Sequence, residues 1–359
     1  MKNENNDLIL LPQGIDLHVH FREPGMEHKE NISTGMNAAN AGGISDVFDM
    51  PNNIPVTDTL ENINYKLKIG KNYQGYHVIG GFTNQAVETQ ELKKVAKHVK
   101  LLKVFLADST GNLSIHERNL LKGFKLLEGL TSIIFVHAES SQFISNRYDN
   151  SKELEVRPKI AEIEGIKQVI EFANDYPNQL FHITHVSTGE GAKLLSKQKL
   201  ISWDILPKYL DFTTDLVNNK GNLAKMNPPL REESDVKILN SLLEEGKIPI
   251  ITSDHAPHTL TDKEQIVAGA PGVQELYPVL LDRFLNQKIS RKILENVTFY
   301  NPQLLLSKVG IEINKKQMLI DPNDITEINK NWIKSKCGWS LWEGKVLKGK
   351  ILANSDIIS

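Results

Sequence analysis

Residues 8–20 read LILLPQGIDLHVH and lead directly into FREPG at residues 21–25. The apolar run predicts a β-strand, and because side chains alternate along a strand, His18 and His20 point the same way and can bind one metal ion together. Arg22 follows at the strand end, before a Pro-Gly pair that turns the chain away. A metal ion beside a guanidinium indicates a substrate with an anionic group and a bond to be polarised. On its own, the pair is more often two surface histidines than a metal site.

The composition favours an enzyme-sized globular protein that acts on a small molecule. The 359 residues are 40% hydrophobic, enough for a large core in one long α/β domain or two shorter ones. Lys and Arg number 42 and Asp and Glu 44, and the basic residues are scattered, so we expect no nucleic-acid partner. Cys337 is the single cysteine, which excludes an internal disulfide or a cysteine-rich zinc site. Residues 1–7 are polar and no stretch is apolar enough to span a membrane, so we expect a cytoplasmic protein without membrane contact.

Short β-branched or aromatic runs alternate with helix-length amphipathic stretches along most of the chain. Besides residues 8–20, the predicted strands are residues 44–50, 76–82, 99–106, 133–136, 180–186, 201–206 and 248–252. The helical patterns cover residues 32–41, 60–69, 86–98, 115–127, 161–175, 190–196, 235–245, 274–285 and 291–297. Eight strand–helix units are the number that closes a (β/α)8 TIM barrel, an α/β fold. The competing architecture, an open doubly wound sheet, lacks support because no Gly-x-Gly-x-x-Gly follows the first strand.

The end of the chain has a different pattern. We assign residues 8–310 to the barrel, whereas residues 311–359 contain short strands and turns, as in GWSLWEGKVLKGK at residues 338–350. Together with residues 1–7, this segment is predicted to form a small, truncated β-rich appendage.

Charged or metal-binding side chains occur at the ends of several predicted strands, where TIM barrels place their chemistry. They are Lys103 in the fourth strand, His137 after the fifth, His185 in the sixth and Asp254 after the eighth. Each also has a structural interpretation: the histidines as hydrogen-bonded core residues, Lys103 with its amine outside the barrel, and Asp254 as a helix N-cap. Their shared position favours a functional site, because a barrel interior offers few other partners to a buried charge.

The motifs His-Val-His-x-Arg-Glu-Pro-Gly at residues 18–25 and Asp-His-Ala-Pro-His at residues 254–258 resemble those of the dihydroorotases, in the amidohydrolase superfamily. The resemblance extends over nearly the whole chain. It implies two Zn²⁺ ions per chain, bridged by hydroxide, and these ligands: His18, His20, Lys103, His137, His185 and Asp254. Lys103 would be N-carboxylated, which turns a cation into an anionic bridge between the metals. Asp108 is the alternative bridge, because some members use an aspartate just downstream.

The resemblance also implies an activity and a set of substrate contacts. The reaction is the reversible cyclisation of N-carbamoyl-L-aspartate to L-dihydroorotate in pyrimidine biosynthesis, with Asp254 carrying the proton between the nucleophile and the leaving nitrogen. Guanidinium, amide and imidazole groups suit the substrate carboxylate. The implied residues are Arg22, Asn52 and His258 for the carboxylate, and Asn227 and Gly272, in segments that offer backbone contacts, for the pyrimidine ring.

Two other functions stay open. A hydantoinase or allantoinase would share the metal ligands, but allantoinase-like sequences carry Asn in place of Arg22 and tend to lack His258. An inactive dihydroorotase-like subunit of aspartate transcarbamoylase would lack ligands, and none is missing. A homodimer and an association with aspartate transcarbamoylase are both compatible with the resemblance.

One departure from the family pattern concerns strand seven. Members commonly have Ala-Pro-His-His there, whereas residues 206–209 read Leu-Pro-Lys-Tyr. Because neither histidine is an implied metal ligand, Lys208 bears on fine positioning or rate rather than on the reaction class.

Overall fold

The computed structural model describes residues 8–109, 113–145 and 153–353. At its centre is a ring of parallel strands with helices outside. The strands follow one another around the ring in chain order: β2 Gly14–Val19, β3 Ile44–Asp49, β4 Tyr76–Val78, β5 Gly80–Gly81, β6 Leu101–Phe105, β7 Ile133–His137, β8 Leu180–Ile183, β9 Ile201–Ile205 and β10 Ile250–Ile251. β4 and β5 are two parts of the strand predicted at residues 76–82.

The ring closes between its first strand and the chain that follows its last. Val19 forms a parallel bridge with His255, and the His20 N–H donates to the His255 carbonyl at 2.8 Å. The predicted (β/α)8 TIM barrel is therefore confirmed, and the open doubly wound sheet is excluded. The carboxyl ends of the strands meet at one mouth, which is where TIM barrels carry their sites.

The helices pack around the barrel largely where the amphipathic patterns predict them. They are α1 Ile32–Ala41, α2 Leu60–Gly70, α3 Asn84–Glu88, α4 Glu91–Val99, α5 Glu117–Leu126, α6 Glu153–Val156, α7 Lys159–Asp175, α8 Gly189–Leu195, α9 Pro207–Asp211, α10 Asp215–Lys220, α11 Glu233–Glu244, α12 Leu260–Glu264, α13 Leu276–Leu285, α14 Arg291–Glu295 and α15 Asn301–Ser307. The single helix predicted at residues 86–98 is wrong: Gln90, with φ 62°, separates α3 from α4. In the described part of the chain, no helix combines the length and apolar character that a membrane span needs.

The run at residues 8–20 is two strands rather than one. β1 Ile9–Pro12 pairs antiparallel with β11 Gln317–Glu327, which pairs in turn with β12 Val346–Ala353. Pro12 has no N–H for a ladder, and the chain changes partners after it. At Gly14, where the chain enters the barrel, a Cβ would lie 2.7 Å from the Cδ1 atom of Ile44, so a larger residue would require the end of the Ile44 side chain to shift.

This three-stranded sheet is the appendage, and it takes its N-terminal strand from residues assigned by sequence to the barrel. β1 is hydrogen-bonded to β11 and is therefore part of the appendage sheet. The predicted boundary at residue 8 places this strand in the barrel instead. Residues 1–7, the other part of the predicted appendage, lie outside the described residues. The division into a barrel and a flanking unit stays a prediction.

β2 contains a bulge that sets the direction of the first histidine. Asp16 pairs with Val47 and Val19 with Asp49, so three steps along β2 match two along β3. Ile15 and Leu17 accordingly face the interior cluster, whereas Val19 packs against the outer helices. The inserted residue interrupts the alternation of inward and outward side chains between Leu17 and Val19. This allows the imidazole of His18 to lie at the mouth of the barrel.

Candidate metal centre

Three of the predicted ligands form a compact cluster at the barrel mouth. The Nε2 atoms of His18 and His20 lie 3.5 and 3.2 Å from the same oxygen, Oδ1 of Asp254. One ligand atom from each residue lies within 4.8 Å of those of the other two. An imidazole–imidazole–carboxylate group of this size suits a zinc ion or a similar divalent metal.

The other two predicted histidines form a second group beside the first. His137 Nδ1 lies 3.1 Å from His185 Nε2, and the rings of His18 and His185 have centroids 5.3 Å apart. Glu139 binds His137 Nε2 at 2.8 Å, and Arg157 donates to the same carboxylate at 3.1 Å. A carboxylate behind a histidine fixes the orientation of the ring, as around protein-bound metals.

Lys103 is buried inside the barrel, so the alternative interpretation that places its amine outside the barrel is wrong. Its Nζ donates to the Thr184 hydroxyl at 2.8 Å, and that oxygen lies 3.2 Å from His185 Nε2. Burial lowers the pKa of Lys103 to about 7, against the opposing influence of Asp254 and Asp204. A fraction of the amine is therefore unprotonated, and nucleophilic, at neutral pH.

The protonation states of the clustered histidines and of Asp254 suit the binding of a metal ion. Burial lowers the pKa of all four imidazoles, so they are neutral and keep a lone pair for a cation. Burial alone would raise the pKa of Asp254, but His18, His20 and His185 hold it well below its usual range. Within the described chain, the Nδ1 atoms of His18, His20 and His185 are buried without a hydrogen-bond partner. Neutral imidazoles and an ionised carboxylate are the donor set of a metal centre.

Backbone strain concentrates at the same mouth. Arg22, His185 and Asp254 adopt positive φ angles of 62°, 46° and 41°. Such a conformation costs about 1–2 kcal/mol for a non-glycine residue and persists where the surroundings impose it, commonly at functional sites.

Two of the predicted anion-binding residues, Arg22 and Asn52, line the same cavity as the histidines, and the third, His258, contacts Arg22. Arg22 is buried, and its Nη2 lies 3.1 Å from His258 Nε2, while its Nε donates to the Pro257 carbonyl at 3.1 Å. Lys29 Nζ approaches His258 Nδ1 at 3.1 Å. Burial lowers the pKa of Arg22 to about 10, so the guanidinium stays charged at neutral pH. The Trp339 indole N–H donates to the His258 carbonyl at 2.8 Å, which ties the C-terminal segment to this side.

The cavity is small, with a volume of about 30 Å³, and it joins both groups. Its lining includes His18, His20, Arg22, Asn52, Phe105, Ser109, His137, His185, Asn227 and Asp254. Gly272 instead packs against Lys208 and donates its N–H to His255 Nδ1 at 3.1 Å. The Asp108 side chain is exposed and accepts from the Ser114 N–H, whereas Lys103 lies among the histidines.

The loop that carries Asn52 rests on a buried lysine that the sequence analysis missed. Lys66, on α2, is fully buried and donates to the Met50 carbonyl and to Asn53 Oδ1, both at 2.7 Å. Its Nζ also lies 3.0 Å from Oδ2 of Asp49. Lys66 looks like one more charge on an amphipathic helix, and the only signal is its place on the apolar face, at i+3 from Ile63.

Lys66→Met should lower the free energy of unfolding by about 3 kcal/mol, because it leaves the Asp49 carboxylate buried without its cation. Urea denaturation of the folded protein measures this change. Lys68→Met, at an exposed position of the same helix, is the matched control and should stay within about 0.5 kcal/mol of the parent. Equal stabilities of the two variants would show that the Lys66 contacts contribute nothing.

Comparison with known proteins gives a consistent result. A family described as "Dihydro-orotase-like" matches residues 7–138. A dihydroorotase from Pyrococcus abyssi is 36% identical over 362 residues, covering 96% of this chain and 81% of that protein. One from Methanosarcina acetivorans is 31% identical over 366 residues, covering 94% and 78%.

Solved structures show the same fold at lower identity. The L-hydantoinase (dihydropyrimidinase) from Arthrobacter aurescens matches with a TM-score of 0.85 at 22% identity, covering 96% of this chain and 83% of that one. A dihydroorotase from Campylobacter jejuni matches with a TM-score of 0.73 at 20% identity, covering 96% and 97%. At such identities, the solved structures support only the barrel fold. The relatives above 30% identity match over most of both sequences, so they support the family as well. The chain belongs to the dihydroorotase family.

Proposed function

We propose that this protein is a zinc-dependent dihydroorotase that interconverts N-carbamoyl-L-aspartate and L-dihydroorotate, a step of pyrimidine biosynthesis. The observation that carries the proposal is the position of Arg22, a buried guanidinium on the same cavity as the metal-binding cluster. Both partners of this reaction carry a carboxylate, and a buried arginine is the side chain that binds one with the best geometry. The family relationship supports the same function.

The residues proposed to hold two zinc ions fall into two sets. His18, His20 and Asp254 surround one position, and His137 and His185 the other. Bound zinc would polarise the ring carbonyl and bring the pKa of a water towards about 7, so that a nucleophile exists at neutral pH. All of these ligands come from one chain, so the proposal requires neither a homodimer nor aspartate transcarbamoylase.

The side chains of the protein have separate tasks in this proposal. Arg22, His258 and Asn52 hold the substrate carboxylate, and Asn227, which lines the same cavity, contacts the ring. Asp254 accepts the proton of the attacking nucleophile and delivers it to the departing ring nitrogen; in cyclisation it takes the proton from the ureido nitrogen. A low pKa suits the first half of this task, because the carboxylate is ionised before the substrate binds.

Lys103 is proposed to carry the bridge between the metals as an N-carboxylated side chain, with Asp108 as the alternative. Carboxylation needs an unprotonated amine, and burial lowers the pKa of Lys103 to about 7. The product is an anion, which two dications stabilise where an ammonium would be repelled.

Lys103→Met should lose at least one of about two zinc ions per chain, the content expected of a two-metal centre. Elemental analysis of the purified proteins gives this number, and native mass spectrometry of the parent should show the added mass of one carbon dioxide. Asp108→Asn is the control and should keep the full metal content. A Lys103→Met variant with full zinc content and an Asp108→Asn variant without it would assign the bridge to Asp108.

The function is tested by presenting zinc-loaded protein with L-dihydroorotate, hydantoin and allantoin at equal concentrations. We expect L-dihydroorotate to be hydrolysed with the highest kcat/KM. Preferred hydrolysis of hydantoin or allantoin would support the alternative cyclic-amide hydrolase. A folded, metal-free protein inactive on all three would support the alternative of a non-catalytic subunit.

A further inference from the structure

Lys208 lies at the start of α9 in a place that the sequence does not explain. Its side chain is 1% exposed, and its Nζ donates to the carbonyls of Ser253 at 3.0 Å, Asp254 at 3.0 Å and Ala270 at 2.9 Å. Carbonyl oxygens only accept, so three such contacts require three N–H donors, which an ammonium has. An imidazole offers at most two, so a histidine at this position could not make the same set of bonds.

The first two carbonyls belong to the turn that holds the proposed proton carrier. Asp254 has φ 41°, a left-handed conformation that is uncommon for residues other than glycine. Consecutive carbonyls of Ser253 and Asp254 converge on one cation, which stabilises their alignment. The direction of the Asp254 carboxylate therefore depends on a backbone that Lys208 holds.

The third carbonyl belongs to the neighbouring segment at residues 268–272, which forms one wall of the cavity and pairs with the chain just after Asp254 through a bridge between His255 and Ala270. Ala270 O also accepts from the Ala256 N–H at 3.1 Å, and the neighbouring Ala268 carbonyl lies 3.0 Å from His258 Nε2. Ala268 and Gly269 line the cavity. At Gly272, a Cβ would lie 3.0 Å from the Lys208 Nζ, so glycine leaves the space that the ammonium occupies.

We propose that Lys208 is a positioning residue that fixes Asp254 relative to the segment at residues 268–272. Lys208 then anchors both the Asp254 carboxylate, which moves the proton, and the wall that orients His258. As a result, the ring nitrogen of the bound substrate stays aligned with Asp254. This inference rests on the proposed function for its kinetic part, and on the contacts alone for its structural part.

Lys263 provides a matched control. It is also 1% exposed, and its Nζ donates to the carbonyls of Lys225 at 3.0 Å, Val267 at 2.9 Å and Gly269 at 2.8 Å. Lys263 thus anchors the same wall through a buried ammonium, and none of these three bonds reaches the turn at residues 253–254.

The test compares Lys208→Met and Lys263→Met in the zinc-loaded protein. We expect both to raise KM for L-dihydroorotate, because both loosen the wall, and only Lys208→Met to lower kcat, by about 10- to 100-fold, since small misplacements of reacting groups have effects of this size. Lys263→Met should keep kcat within about twofold. A purely structural lysine would not divide kcat from KM in this way, and an equal kcat for Lys208→Met and the parent would overturn the proposal.

A second readout does not depend on turnover. Hydrogen exchange followed by mass spectrometry should show faster exchange at residues 253–257 in Lys208→Met alone, and at residues 268–273 in both variants. Unchanged exchange at residues 253–257 in Lys208→Met would overturn the proposal, whether or not the parent protein is active. An inactive parent protein would contradict only the proposed function. If Lys208→Met does not fold, Lys208→Gln, which cannot serve three carbonyls, takes its place with the same criteria.

Discussion

Asp254→Asn should lower kcat for L-dihydroorotate by at least about 10³-fold while the barrel stays folded. The asparagine keeps the shape of the side chain but cannot take up a proton, and general acid–base catalysis contributes about 10²- to 10⁴-fold. The change also removes the oxygen anion that lies 3.2 and 3.5 Å from two imidazoles of the proposed zinc site. Steady-state kinetics with zinc in excess and a thermal melt of the same sample measure both effects.

Asp46→Asn is the matched control for this variant. Asp46 is another aspartate of the barrel, on β3, and its Oδ1 lies 2.9 Å from the Nε2 of His77, a histidine outside the cavity. Its kcat should stay within about twofold of the parent, as expected of substitutions away from the site. An Asp254→Asn enzyme that keeps a tenth or more of the parental kcat would contradict the assigned proton transfer.

Arg22→Gln should raise KM for L-dihydroorotate about 100-fold or more. The guanidinium is buried beside His258 on the cavity wall, and a hydrogen bond to a charged group contributes about 1.5–3 kcal/mol, so the loss of a two-point contact reaches this size. Initial rates over a wide range of substrate concentration give KM and kcat separately.

Arg22→Lys separates charge from geometry at the same position. A lysine keeps the positive charge but binds a carboxylate through a single point, so its KM should fall between those of the parent and of Arg22→Gln. If KM for Arg22→Gln stays within about threefold of the parental value, Arg22 does not bind the substrate carboxylate, and the distinction from hydantoinases loses its basis.

The barrel was predictable because strand and helix periodicities are local. The run at Ile133–His137 and the pattern at Lys159–Asp175 can be identified without knowledge of the rest of the chain. The errors lie where distant contacts decide. Ile9–Pro12 joins a strand more than 300 residues away, and Gln90 interrupts a helix whose amphipathic pattern continues on both sides.

The candidate site follows a similar division. His18 and His20 are visible as a strand-end pair, although the bulge that directs them is not, because its register depends on β3. The supporting role of Lys208 has no signal in the sequence, because its ammonium reaches carbonyls 45, 46 and 62 residues away. A lysine in a sequence is most often an exposed charge, so its burial against carbonyls becomes evident only in three dimensions.

The proposed function requires this cavity to bind a carboxylate-bearing cyclic amide at a zinc centre. The most direct measurement follows the purified protein with L-dihydroorotate and, separately, with N-carbamoyl-L-aspartate until neither concentration changes. We expect both reactions to reach the same ratio of the two compounds, a chelator to abolish both, and added zinc to restore them. A zinc-loaded, folded protein that leaves both compounds unchanged while it hydrolyses hydantoin or allantoin would contradict the proposed function.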